Sequence, residues 1–83
     1  MKKPIFTIQV YNETDEQTIE EFACELDYNE QRAVNLANEV IEDYEWDEDL
    51  ISVTVYAGEY LLENGDIYGE PFDIYTIYNR NEE

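Results

Sequence analysis

Two early segments of the chain alternate between apolar and polar residues, which is the pattern of half-buried β-strands. They cover residues 4–11 and 18–27 and are separated by the polar, turn-rich residues 12–17. A helix over 18–27 is the alternative, but the spacing of its apolar residues fits a strand better, so we predict a hairpin. The apolar side chains directed to one face are Phe6, Ile8 and Val10 in the first segment and Phe22, Cys24 and Leu26 in the second.

The next segment, residues 27–44, has apolar residues at one-, three- and four-residue steps, which predicts an amphipathic helix. Asp27 or Asn29 is the expected N-cap, and Glu30 stands three residues after Asp27, as in a capping box. Arg32 falls in or near the positively polarised first turn. The apolar stripe consists of Ala33, Val34, Leu36, Ala37, Val40, Ile41 and Tyr44.

Two further strands are predicted over residues 50–57 and 72–78, the first because of its run of β-branched residues. Between them, Asn64-Gly65 is the pair that a tight type I′ hairpin prefers. Pro71, just before the last strand, indicates a bulge or an edge strand. The side chains expected in the core are Ile51, Val53 and Val55.

The order of elements predicts an α+β fold, ββαββ, in which one helix packs on one face of a four-stranded, mainly antiparallel sheet. Strand order 2-1-3-4 makes every neighbour antiparallel, and 1-2-3-4 with one parallel pair is the alternative. We expect a single domain over residues 1–83 with a frayed tail at 79–83. The other face of the sheet is left open and is expected to carry Gln9, Tyr11, Glu21, Glu25, Thr54, Tyr56 and Tyr75.

Charge is the outlying feature of the composition. The chain has 22 acidic and four basic residues and no histidine, a formal net charge of −18. High net charge can mean disorder, but the periodic apolar positions argue for a folded chain. A compact chain of this length has a diameter of roughly 30 Å, and that length of B-form DNA carries about 18 negative charges. The same charge disfavours direct binding to nucleic acid or to an anionic membrane.

The composition also excludes several kinds of chemistry. Without histidine, neither a neutral-pH base nor a Cys-His or Ser-His pair is available, so we do not expect an enzyme. Zinc is excluded by a single thiol and no imidazole, and the acidic loops lack EF-hand spacing, so neither a metal site nor a cofactor is expected. Cys24 is interpreted as a small buried hydrophobe.

The location expected for the chain is the cytoplasm. No stretch approaches the roughly 20 apolar residues of a membrane span. The N-terminal residues pass directly into the alternating pattern without the apolar region of a signal peptide.

Residues 42–49, here called the acidic segment, hold six acids and two aromatic residues. The segment follows the predicted helix, where the carbonyl end makes each acid unfavourable by roughly 0.3–1 kcal/mol, so its retention indicates a function. Tyr44 is expected to extend the apolar stripe into the core. Trp46 either closes the helix over the sheet or is an exposed aromatic anchor surrounded by acids.

The small size, the charge density, the absence of a catalytic set and the acidic faces with tyrosine and tryptophan resemble the DNA-mimic proteins. These are small acidic inhibitors of phages and mobile elements, including anti-restriction and anti-CRISPR proteins and uracil-glycosylase inhibitors. The resemblance covers the whole chain, rests on no shared motif and implies no particular fold. It implies an inhibitor whose carboxylates occupy the basic groove of a nucleic-acid-binding enzyme or complex. The surface expected to bind that basic partner is Glu39, Glu42, Asp43, Glu45, Trp46, Asp47, Glu48 and Asp49, joined by Glu21 and Glu25 if the open sheet face takes part.

The alternative is a protein-interaction module without inhibitory function. In that case the open sheet face pairs with a second copy or with an accessory protein. Tyr11, Tyr56 and Tyr75 would then matter more than the acids.

Overall fold

The computed structural model of the protein describes residues 3–24 and 29–80. Its elements are the strands β1 (Lys3–Asn12), β2 (Gln17–Cys24), β3 (Ile51–Leu61) and β4 (Ile67–Tyr78) and the helix α1 (Glu30–Glu42). The strands form one antiparallel sheet in the order β2-β1-β3-β4, and α1 packs against one face of it. The structure therefore confirms the α+β, ββαββ prediction and selects the order 2-1-3-4. The predictions made for the Cys24 side chain and for Glu25, Leu26 and Asp27 lie outside the described residues.

The core lies between α1 and the two central strands. Alternate residues of β1 and β3 point toward the helix, and five of them have no exposed surface: Ile8, Val10, Ile51, Val53 and Val55. From α1, Ala33, Ala37 and Ile41 pack against this layer, with Leu36, Val40 and Tyr44 at its margin. The small alanines allow the helix to approach the sheet closely. The predicted core faces of β1 and β3 are thus confirmed, and so is the apolar stripe except at Val34, which does not belong to this core.

The helix is shorter than predicted at both ends. It begins after Asn29, whose side chain accepts hydrogen bonds from the backbone N–H groups of Gln31 (3.0 Å) and Arg32 (3.4 Å). Of the two predicted candidates, Asn29 is therefore the N-cap. The helix ends at Glu42, with Asp43 as the C-cap.

The loop between β3 and β4 differs from the tight turn predicted. Only Gly65 in this loop has a positive φ, of 90°, so the type I′ turn, which needs two such residues, is wrong. Leu62 N–H donates to the Asp66 carbonyl at 2.8 Å, and Gly65 N–H donates to the Leu62 carbonyl at 3.0 Å. These bonds enclose a three-residue loop in which only the glycine needs the left-handed conformation.

Pro71 lies on an edge strand and also beside a bulge, as its sequence position predicted. β4 is at the edge of the sheet, and its register with β3 shifts between Ala57 and Glu59. Gly58 and Gly69, with φ of 100° and 114°, face each other at this shift. The two backbones approach too closely there for side chains, so the bulge requires both glycines.

The open face of the sheet matches its predicted membership at five strand positions and differs at one. The strand registers place Gln9, Glu21, Thr54 and Tyr56 on that face, and Tyr11, two residues after Gln9 in β1, lies there as well. Tyr75 pairs with Val55, a core residue, so its side chain lies on the helix face. Its hydroxyl donates to Asn38 Oδ1 at 2.9 Å, and the prediction that Tyr75 belongs to the open face is wrong.

Candidate functional site

The acidic segment leaves α1 through a series of tight turns. Successive backbone N–H groups donate to the carbonyl three residues back: Asp43 to Val40 (3.1 Å), Tyr44 to Ile41 (3.0 Å), Glu45 to Glu42 (3.3 Å) and Asp47 to Tyr44 (3.0 Å). Asp47 Oδ1 then accepts the N–H of Asp49 at 2.9 Å. The segment is therefore an ordered extension of the helix end, wound more tightly than an α-helix.

Asn79 fixes both ends of this extension. Its Nδ2 donates to the carbonyls of Tyr44 (2.8 Å) and Asp49 (3.0 Å), and its Oδ1 accepts the N–H of Ile51 (3.0 Å). Arg80 donates to the carbonyl of Glu48. Asn79 and Arg80 therefore do not belong to a frayed tail, contrary to the prediction, and residues 81–83 lie outside the described part of the chain.

The turn between β1 and β2 packs against the acidic segment. Asn12 Nδ2 donates to Asp49 Oδ2 at 2.9 Å. Leu50 N–H donates to Thr14 Oγ1 at 2.9 Å, and Glu13 N–H donates to the Leu50 carbonyl at 2.8 Å. This places a second group of acids beside the first. We call the combined surface the acidic end; it comprises Glu13, Asp15, Glu16, Glu20, Glu42, Asp43, Glu45, Asp47, Glu48 and Asp49.

The acids of the β1–β2 turn and Glu20 were not among the residues predicted to bind a partner. The turn is acid-rich in the sequence, but its position beside the acidic segment depends on the strand order. In an antiparallel pair of β1 and β3, the end of β1 meets the start of β3, as Asn12 meets Ile51. The order 2-1-3-4 therefore implies that the β1–β2 turn lies beside the acidic segment.

Tyr44 and Trp46, the two aromatic residues of the acidic segment, occupy different environments. Tyr44 packs against the core, and burial raises the pKa of its phenol, with the nearby charges of Glu20, Asp43 and Asp47 acting in the same direction. Trp46 is 89% exposed. It does not close the helix over the sheet; its indole stands in solvent, bordered in the chain by Glu45 and Asp47.

Two other residues of the predicted surface lie away from the acidic end. Glu39 is exposed on the outer face of α1, beside Arg32, Asn35 and Leu36. Glu21 is on the open sheet face, where its Oε2 accepts a hydrogen bond from Gln9 Nε2 at 3.1 Å. Glu25, the remaining member, lies outside the described residues.

The molecule is elongated rather than spherical, which changes the comparison of its charge with that of a DNA segment. Its principal extents are 43 × 23 × 19 Å. A B-form duplex of that length carries about 25 negative charges, more than the −18 of this chain. The equal charge predicted for a 30 Å segment is therefore wrong for the molecule as a whole. Ten of the 22 acids belong to the acidic end.

Within residues 3–24 and 29–80, no three histidine, cysteine, aspartate or glutamate side chains are arranged to hold a metal ion. The one helix among these residues is too short and too polar to cross a membrane. Comparisons of the chain with protein families, with curated proteins and with solved structures find no match.

Proposed function

We propose that the protein is an acidic nucleic-acid mimic whose acidic end binds the basic groove of a nucleic-acid-binding enzyme or complex and blocks it. The observation that carries this proposal is that the acid-rich β1–β2 turn packs against the acidic segment, which also carries the 89% exposed Trp46. Such an inhibitor would act in the manner of anti-restriction or anti-CRISPR proteins.

Rigidity supports this role. Side chains of Asn12, Thr14 and Asn79 hydrogen-bond the acidic segment and its junction with β3. Carboxylates on a fixed backbone lose less conformational freedom on binding than carboxylates on a mobile tail. Clustered charge also accelerates encounter with a surface of opposite sign.

Trp46 would supply the contact that slows dissociation. Tryptophan is highly buried on average, and it is enriched among residues that dominate binding energy. Its neighbours in the chain, Glu45 and Asp47, are both acidic, so the indole and the carboxylates can meet a lysine- and arginine-lined groove together. Charge then determines the rate of association and the indole the lifetime of the complex.

The second candidate, a homodimer through the open sheet face, has less support. Two copies each carry a net charge of −18 and repel one another. Tyr75, one of its three tyrosines, is on the helix face, and Tyr56 donates its hydroxyl to Gln9 Oε1 at 3.3 Å within the sheet face. Light scattering over a range of protein concentrations separates the two candidates, because only the second requires a dimer.

The proposal is tested by affinity capture from host or phage-infected cells followed by a displacement assay. Each captured protein is purified and bound to a fluorescent 30-base-pair duplex, and the chain is added while anisotropy is followed. We expect the duplex to be released at about 50 mM salt. Direct binding of the chain to the captured protein, measured without duplex, should weaken steeply toward about 500 mM, because screening shortens the reach of the charges. Capture of proteins that do not bind nucleic acid, or direct binding that is independent of salt, would contradict the proposal.

Variants locate the interface. The triple variant Glu42→Gln, Glu45→Gln, Glu48→Gln removes three exposed charges and leaves Asp47 and Asp49, whose side chains bond the backbone or Asn12. We expect displacement to weaken roughly three- to hundredfold.

The matched control for this triple variant is Glu30→Gln, Glu39→Gln, Glu63→Gln, which removes three exposed charges on α1 and in the β3–β4 loop, outside the acidic end. The loss of displacement in this control variant should be several times smaller. Trp46→Ala should weaken binding by about thirtyfold or more while the free energy of unfolding changes by less than about 0.5 kcal/mol. Equal losses in the two triple variants would show that net charge alone matters and that the acidic end is not the interface.

A further inference from the structure

The open sheet face contains a hollow of about 310 Å³ lined by Thr7, Gln9, Glu21, Tyr56, Glu59 and Pro71. It lies where the bulges of β3 and β4 turn the edge strand, with Pro71 forming one wall. Dedicated small-molecule pockets span about 300–1,000 Å³, so this hollow is at the lower limit. Its size suits one long side chain rather than a cofactor.

The lining is arranged as two oriented carboxylates on either side of an aromatic residue. Glu21 Oε2 accepts from Gln9 Nε2 at 3.1 Å, and Glu59 Oε1 accepts from Thr7 Oγ1 at 3.2 Å. The two acids come from β2 and β3, the strands on either side of β1, and Tyr56 of β3 is in the same lining. A carboxylate has about four acceptor sites, so each retains capacity for a further donor.

We infer that this hollow receives an arginine side chain of the basic partner. The two carboxylates complement its charge, and the ring of Tyr56 offers an aromatic face on which a planar guanidinium stacks, with Pro71 as an apolar wall. Gln9 and Thr7 add oxygen acceptors for a group that carries five N–H donors. A lysine ammonium has three donors and does not stack in this way, so arginine is the better occupant.

The position of the hollow allows one partner to contact it and the acidic end together. Thr7 lies four residues along β1 from Tyr11, which is about 13 Å at the rise of a strand. Tyr11 pairs with Ser52, whose hydroxyl donates to Glu13 of the acidic end at 3.0 Å. The inference therefore rests on the proposed function and adds a second, geometrically specific contact to it.

The test is a titration of the full chain, followed by NMR at low salt, with acetyl-Arg-Arg-Arg-amide and separately with acetyl-Lys-Lys-Lys-amide. We expect the arginine peptide to shift the backbone amides of Thr7, Tyr56 and Glu59 and to bind about threefold or more tightly than the lysine peptide. Shifts confined to the acidic end, or equal binding of both peptides, would overturn the inference.

Two double variants that remove the same charge distinguish binding in the hollow from general electrostatic attraction. Glu21→Gln with Glu59→Gln should weaken the arginine peptide about fivefold more than Glu30→Gln with Glu39→Gln, which lie on the helix. Equal effects of the two pairs would overturn the inference.

A further pair of variants tests the aromatic wall. Tyr56→Phe keeps the ring and should retain most of the binding, whereas Tyr56→Leu should lose it. Equal binding of the two would overturn stacking on Tyr56. Unfolding curves of each variant verify that the sheet is intact.

The two proposals fail separately. If the wild-type chain displaces a duplex and the Glu21→Gln, Glu59→Gln variant displaces it as well as its control, the hollow is not used and the proposed function stands. If the arginine peptide occupies the hollow but the chain displaces no duplex, the arginine site stands and the proposed function fails. Shifts of the same amides on simple dilution would assign the face to a second copy and overturn the inference.

Discussion

The side-chain nitrogen of Asn79 lies 2.8 Å from the carbonyl oxygen of Tyr44, which joins the end of the last strand to the exit of the helix. The carbonyls that follow a helix end have no partners within the helix, and here a residue 35 positions away supplies one. The same side-chain amide also donates to the Asp49 carbonyl and accepts from the Ile51 N–H. One side chain therefore fixes the acidic segment against the start of β3.

Replacing Asn79 with alanine should lower the free energy of unfolding by about 2–4 kcal/mol, because three hydrogen bonds with half-buried backbone groups are lost. Urea unfolding measures the change, and amide hydrogen exchange should accelerate at Ile51. The control is Asn35→Ala, on the exposed face of α1, where the lost bond joins two exposed side chains. A change of less than about 0.5 kcal/mol for Asn79→Ala would show that the acidic segment orders itself.

Neutralising the acids at the helix exit should stabilise the fold while weakening the proposed interaction. The last turn of α1 has no basic residue, and Glu42 and Asp43 lie at its negatively polarised end. Glu42→Gln and Asp43→Asn should each raise the free energy of unfolding by about 0.3–1 kcal/mol at low salt.

The matched control is Glu30→Gln, for which we expect a change in the free energy of unfolding of the opposite sign. Glu30 lies in the first turn of α1, so Glu30→Gln removes a favourable interaction and should lower the free energy of unfolding. Thermal unfolding at about 20 mM and 500 mM salt measures all three variants. Identical effects at the two salt concentrations would contradict an electrostatic origin.

The glycines of the β3–β4 bulge should tolerate no side chain. A Cβ at Gly58 would lie 2.8 Å from Phe72 Cε1 and 2.5 Å from the Glu70 carbonyl oxygen, and one at Gly69 would overlap the Gly58 carbonyl oxygen. Alanine at either position should lower the free energy of unfolding by about 3 kcal/mol or more.

Gly65 provides the control for this prediction, because it also has a positive φ, of 90°, but nothing lies within 4 Å of its Cβ position. Gly65→Ala therefore carries only the conformational penalty of about 1–2 kcal/mol. Urea unfolding of the three variants compares them directly. If all three change equally, close approach of the backbones has no energetic role.

Stability should fall as the pH rises above about 10, the ordinary pKa of a tyrosine. Burial, and then the charges of Glu20, Asp43 and Asp47, raise the pKa of Tyr44 in the folded chain. The folded state therefore keeps the phenol proton at a pH where the unfolded state has released it. The contribution of Tyr44 to stability is fully present below about pH 10 and is lost as the pH rises through the pKa of the folded state.

The Tyr44→Phe variant cannot ionise at this position and should lose less stability between pH 9 and pH 11 than the wild type. Urea midpoints at these pH values measure the difference. Salt should reduce the difference without abolishing it, because screening acts on the three carboxylates and not on burial. A wild-type curve parallel to that of Tyr44→Phe would contradict the assignment.

The sequence by itself determined the features that depend on local periodicity. Alternation in residues 4–11 and the stripe from Ala33 to Tyr44 decide which faces are buried, because a strand repeats every two residues and a helix every 3.6. Pro71 likewise indicated an edge and a bulge, since it has no N–H to donate. The predicted lengths of β3 and β4 were wrong: β3 extends to Leu61 and β4 begins at Ile67, beyond the predicted bounds at 57 and 72. The loop at Asn64-Gly65 was also wrong, because turn geometry depends on the register of the flanking strands.

Only the tertiary structure decided how the acids are grouped. The meeting of the β1–β2 turn with the acidic segment follows from the pairing of β1 with β3, and the role of Asn79 follows from the return of β4 to the same end. Tyr75 was assigned to the wrong face because a register shift in β4 separates it from Asp73. Such contacts join residues about 30 or more positions apart in the chain, where composition and spacing carry no information on distance.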